Sequence, residues 1–416
     1  MKRIFIDVTQ LMQWQGRLTG VPRVQHELIS RFINDKESIF VTWHGYDFCE
    51  IEREEILGRD QKTLNADDPS VIAVNRARVQ LIRAKHLLGR SMLVRKVYRK
   101  LRGIRKNIAP TEPNDGNVIV PTSEDAFFII EGIWSDENYI QKIISFSDSG
   151  TKIVQASHDM LPIVTPQYSG HSTDWLDNYA RKIYPICTLI LSISQHTRRD
   201  IEQWLASQNL YVPPIEVFRL GDNFKLSTPK KPITDGISKQ KFVLCVGTIE
   251  ARKNHTLLYY TYKQAASKGI QLPTMVIVGR RGWRTENVFD LMTTDPDVKD
   301  KIVILQNSSD EELSWLYSNC LFTVYPSFYE GWGLPIAESM YYGIPCLASN
   351  TSSMPEVAGS LISYFDPTSP DMLLTKMTSL LDPRNLEEAR IKAHEYKMTS
   401  WDDSYNQAKK YIMGIL

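Results

Sequence analysis

YEGWGLPIAESMYYGIP, residues 329–345, is the stretch that decides how this chain of 416 residues folds. Before it runs LFTVYPS, an apolar, β-rich segment ending at Pro326; after the loop FYEGWG comes PIAESMYY, a helical pattern with Pro335 suited to the first position and Gly343 to the C-terminal cap. A strand, a glycine loop and a helix N-terminus thus follow one another. Gly331 and Gly333 let the backbone turn sharply and admit a ligand closely, with Trp332 and Leu334 completing the cradle. The free amides and the helix dipole at that end favour an anion such as a diphosphate. Glu338, expected in the first helical turn, can accept hydrogen bonds from a pair of hydroxyls of the kind a ribose offers, and Glu330 on the loop can reach a neighbouring group. One acceptor-only residue on each side of a phosphate site suits a diphosphate with a sugar at both ends.

The strand before this loop belongs to a series. KFVLCVG, TMVIVG, KIVILQ, LFTVYPS, IPCLASN and LISYFDP alternate with helical patterns in the second half, and RIFIDV, SIFVTWHG, AFFIIEG, KIVQASHD, LILSISQ and IEVFRLG do so in the first. Continuous apolar strands separated by helices imply parallel sheets covered on both faces, hence an α/β class with two doubly wound, Rossmann-like domains. A chain of this length suits two domains of roughly 200 residues each. The polar, Pro-, Gly- and Lys-rich stretch NFKLSTPKKPITDGISKQ marks their seam. The expected boundaries are 1–223 for an N-terminal Rossmann-like domain, 224–240 for a linker, 241–395 for a C-terminal Rossmann-like domain and 396–416 for a terminal helix. Ligands of such sheets bind beyond the carboxyl ends of the strands, so both domains would present loops to a central cleft.

Charged residues make up 23% and apolar residues 42%, which excludes collagen, a long coiled coil and a disordered chain. No run approaches the roughly 20 apolar residues of a membrane span, and MKRIFIDVTQL reads as a first strand, so a cytoplasmic location is expected. Cys49, Cys187, Cys245, Cys320 and Cys346 are scattered, without a metal-ligand spacing, and read as reduced core thiols. A net charge of +1 gives the whole chain no field that would draw nucleic acid. Locally the balance differs. Residues 76–106 hold many Arg and Lys and no acidic residue, interleaved with Val79, Ile82, Leu87, Leu93, Val97 and Leu101 at near-helical spacing. Such a basic amphipathic segment can lie on an anionic bilayer, peripherally at the inner face of the cytoplasmic membrane, or pack on its own domain with a solvated basic face.

EGWGLPIAE closely resembles the paired-glutamate motif of retaining family-4 glycosyltransferases, which have the two-domain GT-B fold. The resemblance implies that Glu330 contacts the donor sugar and Glu338 the nucleotide ribose. VGTIEARKNH, after the first strand of the second domain, looks like the family's strand-end loop: Gly247 and Thr248 border the donor, and Arg252 and Lys253 supply cations for a leaving diphosphate. Relatives carry an arginine directly after that glycine, where this chain has Thr248. VIVGRRGW resembles the next loop, with Gly279 at the turn and Arg280 and Trp283 near it, and ILQNSSDEEL resembles the segment lining the base site, around Gln306 and Asn307. In the first domain VQASHDMLPIVTPQY matches the family's His-Asp strand end. His158 can hydrogen-bond the donor sugar there, and Asp159 can orient it or approach the acceptor. RLTGVPRVQHEL offers Gly20 and Arg23 to the diphosphate and acceptor.

The resemblance implies transfer of a hexose from a nucleotide-diphosphate sugar to a hydroxyl with retention, by front-face displacement, with neither cofactor nor metal. DPD, Asp295 to Asp297, follows a helix and reads as a turn. The loops HDMLP and GRRGW look most like mannosyltransferases of O-antigen, capsule or lipopolysaccharide assembly, which implies GDP-mannose as donor and a lipid-linked saccharide as acceptor. A UDP- or dTDP-sugar donor, a non-hydrolysing sugar-nucleotide epimerase and an inactive nucleotide-sugar-binding scaffold are the alternatives.

Overall fold

The computed structural model describes residues 2–14, 18, 20–57, 118–169, 173–222, 227–232, 237 and 241–416. The basic segment 76–106 and much of the stretch 224–240 lie outside the described residues. Packing divides the chain into two compact units, Met1–Ile153 with Leu416 and Val154–Ile415.

In the first unit β1 (Ile4–Asp7) pairs in parallel with β2 (Ser38–Trp43) and with β4 (Ala126–Ile129). Every residue of β1 and β4 is buried, which is why both runs are apolar without alternation. β3 (Phe48–Glu50) runs antiparallel to β2 at the sheet edge, returning through a tight turn in which His44 N donates to Asp47 O at 3.0 Å. Helix α1 (Val21–Phe32) buries Val24, Leu28, Ile29 and Phe32 at helical spacing, and Gly20 precedes it with φ +58°. Helix α2 (Glu137–Asp148) is capped by Asp136, which accepts from the amides of Asn138 and Tyr139. Asp7, at the carboxyl end of β1, is buried and accepts from Thr9 and from the Tyr139 hydroxyl; burial pushes its carboxyl up to about 6 against those bonds.

The seven-stranded sheet is ordered β3-β2-β1-β4-β5-β6-β7, with β5 at Lys152–Ser157, β6 at Leu189–Ser192 and β7 at Ile215–Val217. Helix α3 (Gln195–Ser207) follows β6. The second sheet is parallel throughout, ordered β10-β9-β8-β11-β12-β13. Its strands are β8 (Phe242–Val246), β9 (Thr274–Val278), β10 (Ile302–Leu305), β11 (Thr323–Tyr325), β12 (Cys346–Ser349) and β13 (Ser363–Phe365). Its helices include α4 (His255–Ser267), α5 (Leu334–Tyr341) and α6 (Met354–Ala358), whereas the C-terminal α7 (Trp401–Ile415) packs against β6 of the seven-stranded sheet. In this sheet the chain starts in the middle, winds to one edge and then to the other. The switch of direction lies between β8 and β11, so the loops leaving these two strands emerge side by side.

The core of this sheet is built from its apolar strands together with Leu257, Leu258, Tyr262 and Met377 on the covering helices. All five cysteines are buried and unpaired, as free core thiols. The chain before α7 is tied to residues 219–222. Asp222 N donates to Thr399 O at 2.9 Å, the Asp222 carboxylate accepts from Thr399 N and the Tyr396 hydroxyl, and Trp401 packs where a side chain on Gly221 would stand. No helix among the described residues is long and apolar enough to cross a membrane.

The ends of β8 and β9 touch backbone to backbone. A Cβ added to Gly279 would meet the Gly247 carbonyl oxygen at 1.9 Å, so any side chain there forces the strand ends apart. Gly279→Ala should lower stability by about 1–3 kcal/mol in urea denaturation. Gly414→Ala, in open space near the end of α7, should be neutral or slightly stabilising.

Candidate active site

Two loops at the switch point carry the charged residues. After β8 the chain passes Gly247 (φ +149°) and enters a short 3-10 turn, Ala251–Lys253. Gly247 lacks a Cβ where one would stand 3.6 Å from Lys253 Nζ. Asn254 ends the turn in the left-handed region, and its side-chain amide donates to Pro326 O (3.1 Å) and Pro367 O (2.8 Å). Phe328 N donates to Arg252 O at 2.8 Å. The Arg-Lys-Asn turn is therefore stapled to the carboxyl ends of β11 and β13.

That placement joins the charges. Arg252 lies between two carboxylates, its Nε 2.6 Å from Glu250 Oε1 and its Nη1 2.5 Å from Glu330 Oε2. Lys253 Nζ stands 2.6 Å from Glu330 Oε1 and donates to the Tyr325 hydroxyl at 2.6 Å. These side chains are largely withdrawn from water: 22% exposed for Arg252, 10% for Lys253 and 9% for Glu330. Burial pushes the Glu330 carboxyl up, but Arg252 and Lys253 together outweigh it and hold the group at about 2. Glu250 and Asp159 go the other way, burial raising both despite the nearby Arg252.

The glycine loop after β11 is held by the segment that follows β12. Ser352 Oγ accepts from Glu330 N (3.1 Å) and donates to Glu330 O (2.6 Å), and the Ser353 hydroxyl lies 2.8 and 2.7 Å from the carbonyls of Glu330 and Trp332. The amides of Gly331, Trp332, Gly333 and Leu334 donate to no protein group among the described residues. Four neighbouring N–H donors at the start of α5 are an arrangement that can receive an anion. Trp332 is buried, with the Arg219 guanidinium 5.6 Å from its ring centroid. Gly331 presses against the end of β5, where a Cβ would meet His158 O at 2.0 Å and Asp159 Cβ at 3.2 Å. The Tyr329 hydroxyl, one residue before Glu330, donates to Asp200 at 2.5 Å and accepts from Met160 N at 3.3 Å.

Glu330, Arg252, Lys253, Gly247, Gly331, Asp159 and the His158 backbone thus converge on one place. Other expected residues sit apart from it. Arg280 and Asn307 are exposed just past β9 and β10, Thr248 is exposed after β8, and Gly20 and Arg23 belong to the first unit. Glu338 is the fifth residue of α5, not in its first turn. The helix starts at Leu334 because Ile336 N already bonds Gly333 O, leaving Pro335 second. Its carboxylate accepts from the Tyr317 hydroxyl at 2.7 Å. Trp283 is 37% exposed and donates to Tyr168 O at 3.0 Å. Asp295 to Asp297 form a turn, Asp295 accepting from Asp297 N and Tyr259 and pairing with Lys263. No group of His, Cys, Asp and Glu among the described residues is arranged to hold a metal ion.

Several participants went unnamed in the sequence: Glu250, Asn254, Tyr325, Tyr329, Ser352 and Ser353. Glu250 had a signal, an acid two positions before the basic pair. The serines had none beyond following a strand.

Residues 228–397 match the family model described as Glycosyl transferases group 1. The chain carries a group 1 glycosyl transferase domain. Over 276 residues the protein is 29% identical to O-antigen chain mannosyltransferase B of Escherichia coli, covering 62% of this chain and 68% of that one. It is 25% identical over 248 residues to the serotype-specific mannosyltransferase WbdA of Escherichia coli, covering 56% of this chain but 30% of WbdA. Among solved structures, HepE of Anabaena in complex with UDP and glucose matches over 100% of both chains with a TM-score of 0.60 at 14% identity. Sucrose-phosphate synthase of Thermosynechococcus elongatus matches over 100% of this chain and 99% of that one, with a TM-score of 0.57 at 15% identity. These likenesses show the GT-B fold, two parallel-sheet α/β domains. The group 1 domain holds Arg252, Lys253, Glu330 and the glycine loop.

Glu330 should make stability depend on acid. Its folded pKa of about 2 lies below the ordinary glutamate value of 4.5, so its contribution is present above 4.5 and is lost as pH falls toward 2. Glu330→Gln should cost about 3–5 kcal/mol at neutral pH by removing the carboxylate that the two buried cations share, and this deficit should narrow from about pH 4.5 downward. Urea denaturation of both forms across that range measures it.

Proposed function

We propose that the protein is a retaining hexosyltransferase that moves mannose from GDP-mannose to a hydroxyl of a lipid-linked saccharide in cell-surface polysaccharide assembly. The observation that carries this reading is the Arg252–Lys253–Glu330 cluster beside four unclaimed amides. Cations and N–H dipoles fixed in place stabilise charge where a diphosphate departs, without reorganising during the reaction. The carboxylate held between the cations is an acceptor for sugar hydroxyls. Mannose as the sugar is supported by both mannosyltransferase relatives, and a cell-surface glycan as the acceptor by the one named for the O-antigen chain.

In this reading the bond between the anomeric carbon and the diphosphate oxygen breaks while the acceptor oxygen bonds to the same face of that carbon. The acceptor proton passes to the departing phosphate oxygen. Arg252, Lys253 and the amides of residues 331–334 stabilise the leaving diphosphate, and neither cofactor nor metal takes part. His158 and Asp159 orient the sugar.

Thermal denaturation with GDP, UDP, dTDP and ADP in parallel, with EDTA present, tests the donor. GDP alone should raise the melting temperature, since a ligand bound only by the folded state stabilises it by mass action. Arg252→Ala should abolish the rise. A selective rise with UDP or dTDP replaces the donor, and no rise with any nucleotide removes the donor site. Incubation with GDP-mannose alone should give no isomer, which an epimerase would produce.

Peripheral membrane contact through residues 76–106 belongs to the same proposal. The protein should float with vesicles containing anionic lipid and not with neutral ones, and replacing Arg95, Lys96, Arg99 and Lys100 by Gln should abolish flotation.

A further inference from the structure

The segment Thr351–Glu356 holds more than the glycine loop. Ser352 and Ser353 bond the Glu330 and Trp332 backbone, and three residues later, on α6, the Glu356 carboxylate reaches the N-terminus of α3. Its Oε2 accepts from Gln195 N and its Oε1 from His196 N, both at 2.7 Å. Ser194 takes the next amide, Thr197 N, at 3.0 Å. The first turn of α3 is therefore satisfied partly by its own cap and partly by a carboxylate 160 and 161 positions away in sequence. Arg199 on the same helix lies 3.9 Å from Glu356 Oε1.

α3 touches both halves of the candidate active site. Thr197 Oγ1 donates to His158 O at 3.5 Å, the carbonyl against which Gly331 is pressed. Asp200 accepts from the Tyr329 hydroxyl at 2.5 Å, and the His196 ring lies edge-on to Tyr329 with centroids 5.6 Å apart. One short segment thus fixes the glycine loop through two hydroxyls and, through one carboxylate, the helix on which the end of β5 and Tyr329 rest.

We propose that Glu356 is a positioning residue for glycosyl transfer: bound at the N-terminus of α3, it sets the spacing between the His158–Asp159 end of β5 and the Glu330–Gly331 loop. The inference rests on the transferase reading for its effect on turnover, and on geometry alone for the contact. Glu356 does not touch Arg252, Lys253 or Glu330, and the bonds of Ser352 and Ser353 to the loop carbonyls do not pass through its side chain, so nucleotide binding survives its loss while the alignment of the reacting groups does not.

Glu356→Gln keeps the size of the side chain and removes its charge and one of its two acceptor atoms. Ser194→Ala removes only the local cap of α3. Three properties are read on the full chain: hydrogen–deuterium exchange, calorimetric affinity for GDP, and turnover with GDP-mannose. Glu356→Gln should speed exchange in peptides covering both 194–200 and 329–334, and Ser194→Ala only in 194–200. GDP affinity of Glu356→Gln should stay within about twofold while kcat falls about tenfold or more, the separation expected when alignment and not binding is lost. Unchanged exchange in 329–334, or equal losses of kcat in the two variants, would overturn the proposal. If GDP binds to no form, the donor reading fails, and the exchange of 329–334 still decides whether Glu356 holds the loop.

Discussion

Two cations drawn out of water at the ends of neighbouring parallel strands are the constraint on which this site depends. Arg252 and Lys253 follow β8, and Glu330 follows β11. A buried guanidinium or ammonium without a partner is costly, so these residues are tolerable only where a carboxylate meets them. That meeting needs β8 and β11 to be adjacent, an adjacency the doubly wound order creates at its point of reversal. With Glu250 on the other edge of Arg252, the pair of cations faces a pair of carboxylates. The protein side chains therefore nearly neutralise one another. What such a neutralised cluster can still offer an anion lies largely in the backbone amides of residues 331–334, which donate to no protein group among the described residues.

The twelve apolar runs of the sequence all fall on strands, because a strand covered on both faces has no polar alternation to hide it. β3 escaped notice for the opposite reason: three residues, Phe48 to Glu50, at an antiparallel edge are too short for any period. The helix after the glycine loop was legible, but its start was one residue off. Gly333 at φ +130° allows the first turn to close on Leu334, a backbone conformation that composition does not reveal. Glu338 moved into the second turn as a consequence.

What could not be read were bonds between side chains and distant backbone. Asn254 spans from one loop to the carbonyls of Pro326 and Pro367, and Ser352 and Ser353 serve the loop 22 and 23 residues earlier. Small polar residues in such roles leave no periodic trace, since each answers a local deficit of donors or acceptors created by the fold itself. Sequence likeness reaches less far than structural likeness. The family model stops at 228–397, where the charged loops lie, whereas structural likeness to HepE extends over the full chain at 14% identity. Layer architecture outlasts residue identity because many apolar residues can fill the same strand.

The serine clamp on the glycine loop also bears on the entropy of recognition. A loop rich in glycine samples many backbone conformations when free, and ordering it around a ligand would consume binding energy. Here Ser352 and Ser353 fix the carbonyls of Glu330 and Trp332 before any ligand arrives, and Gly331 is wedged against His158. The conformational entropy of the loop is surrendered when the chain folds. Association with an anion then requires little further ordering, and more of the interaction energy remains to discriminate between ligands.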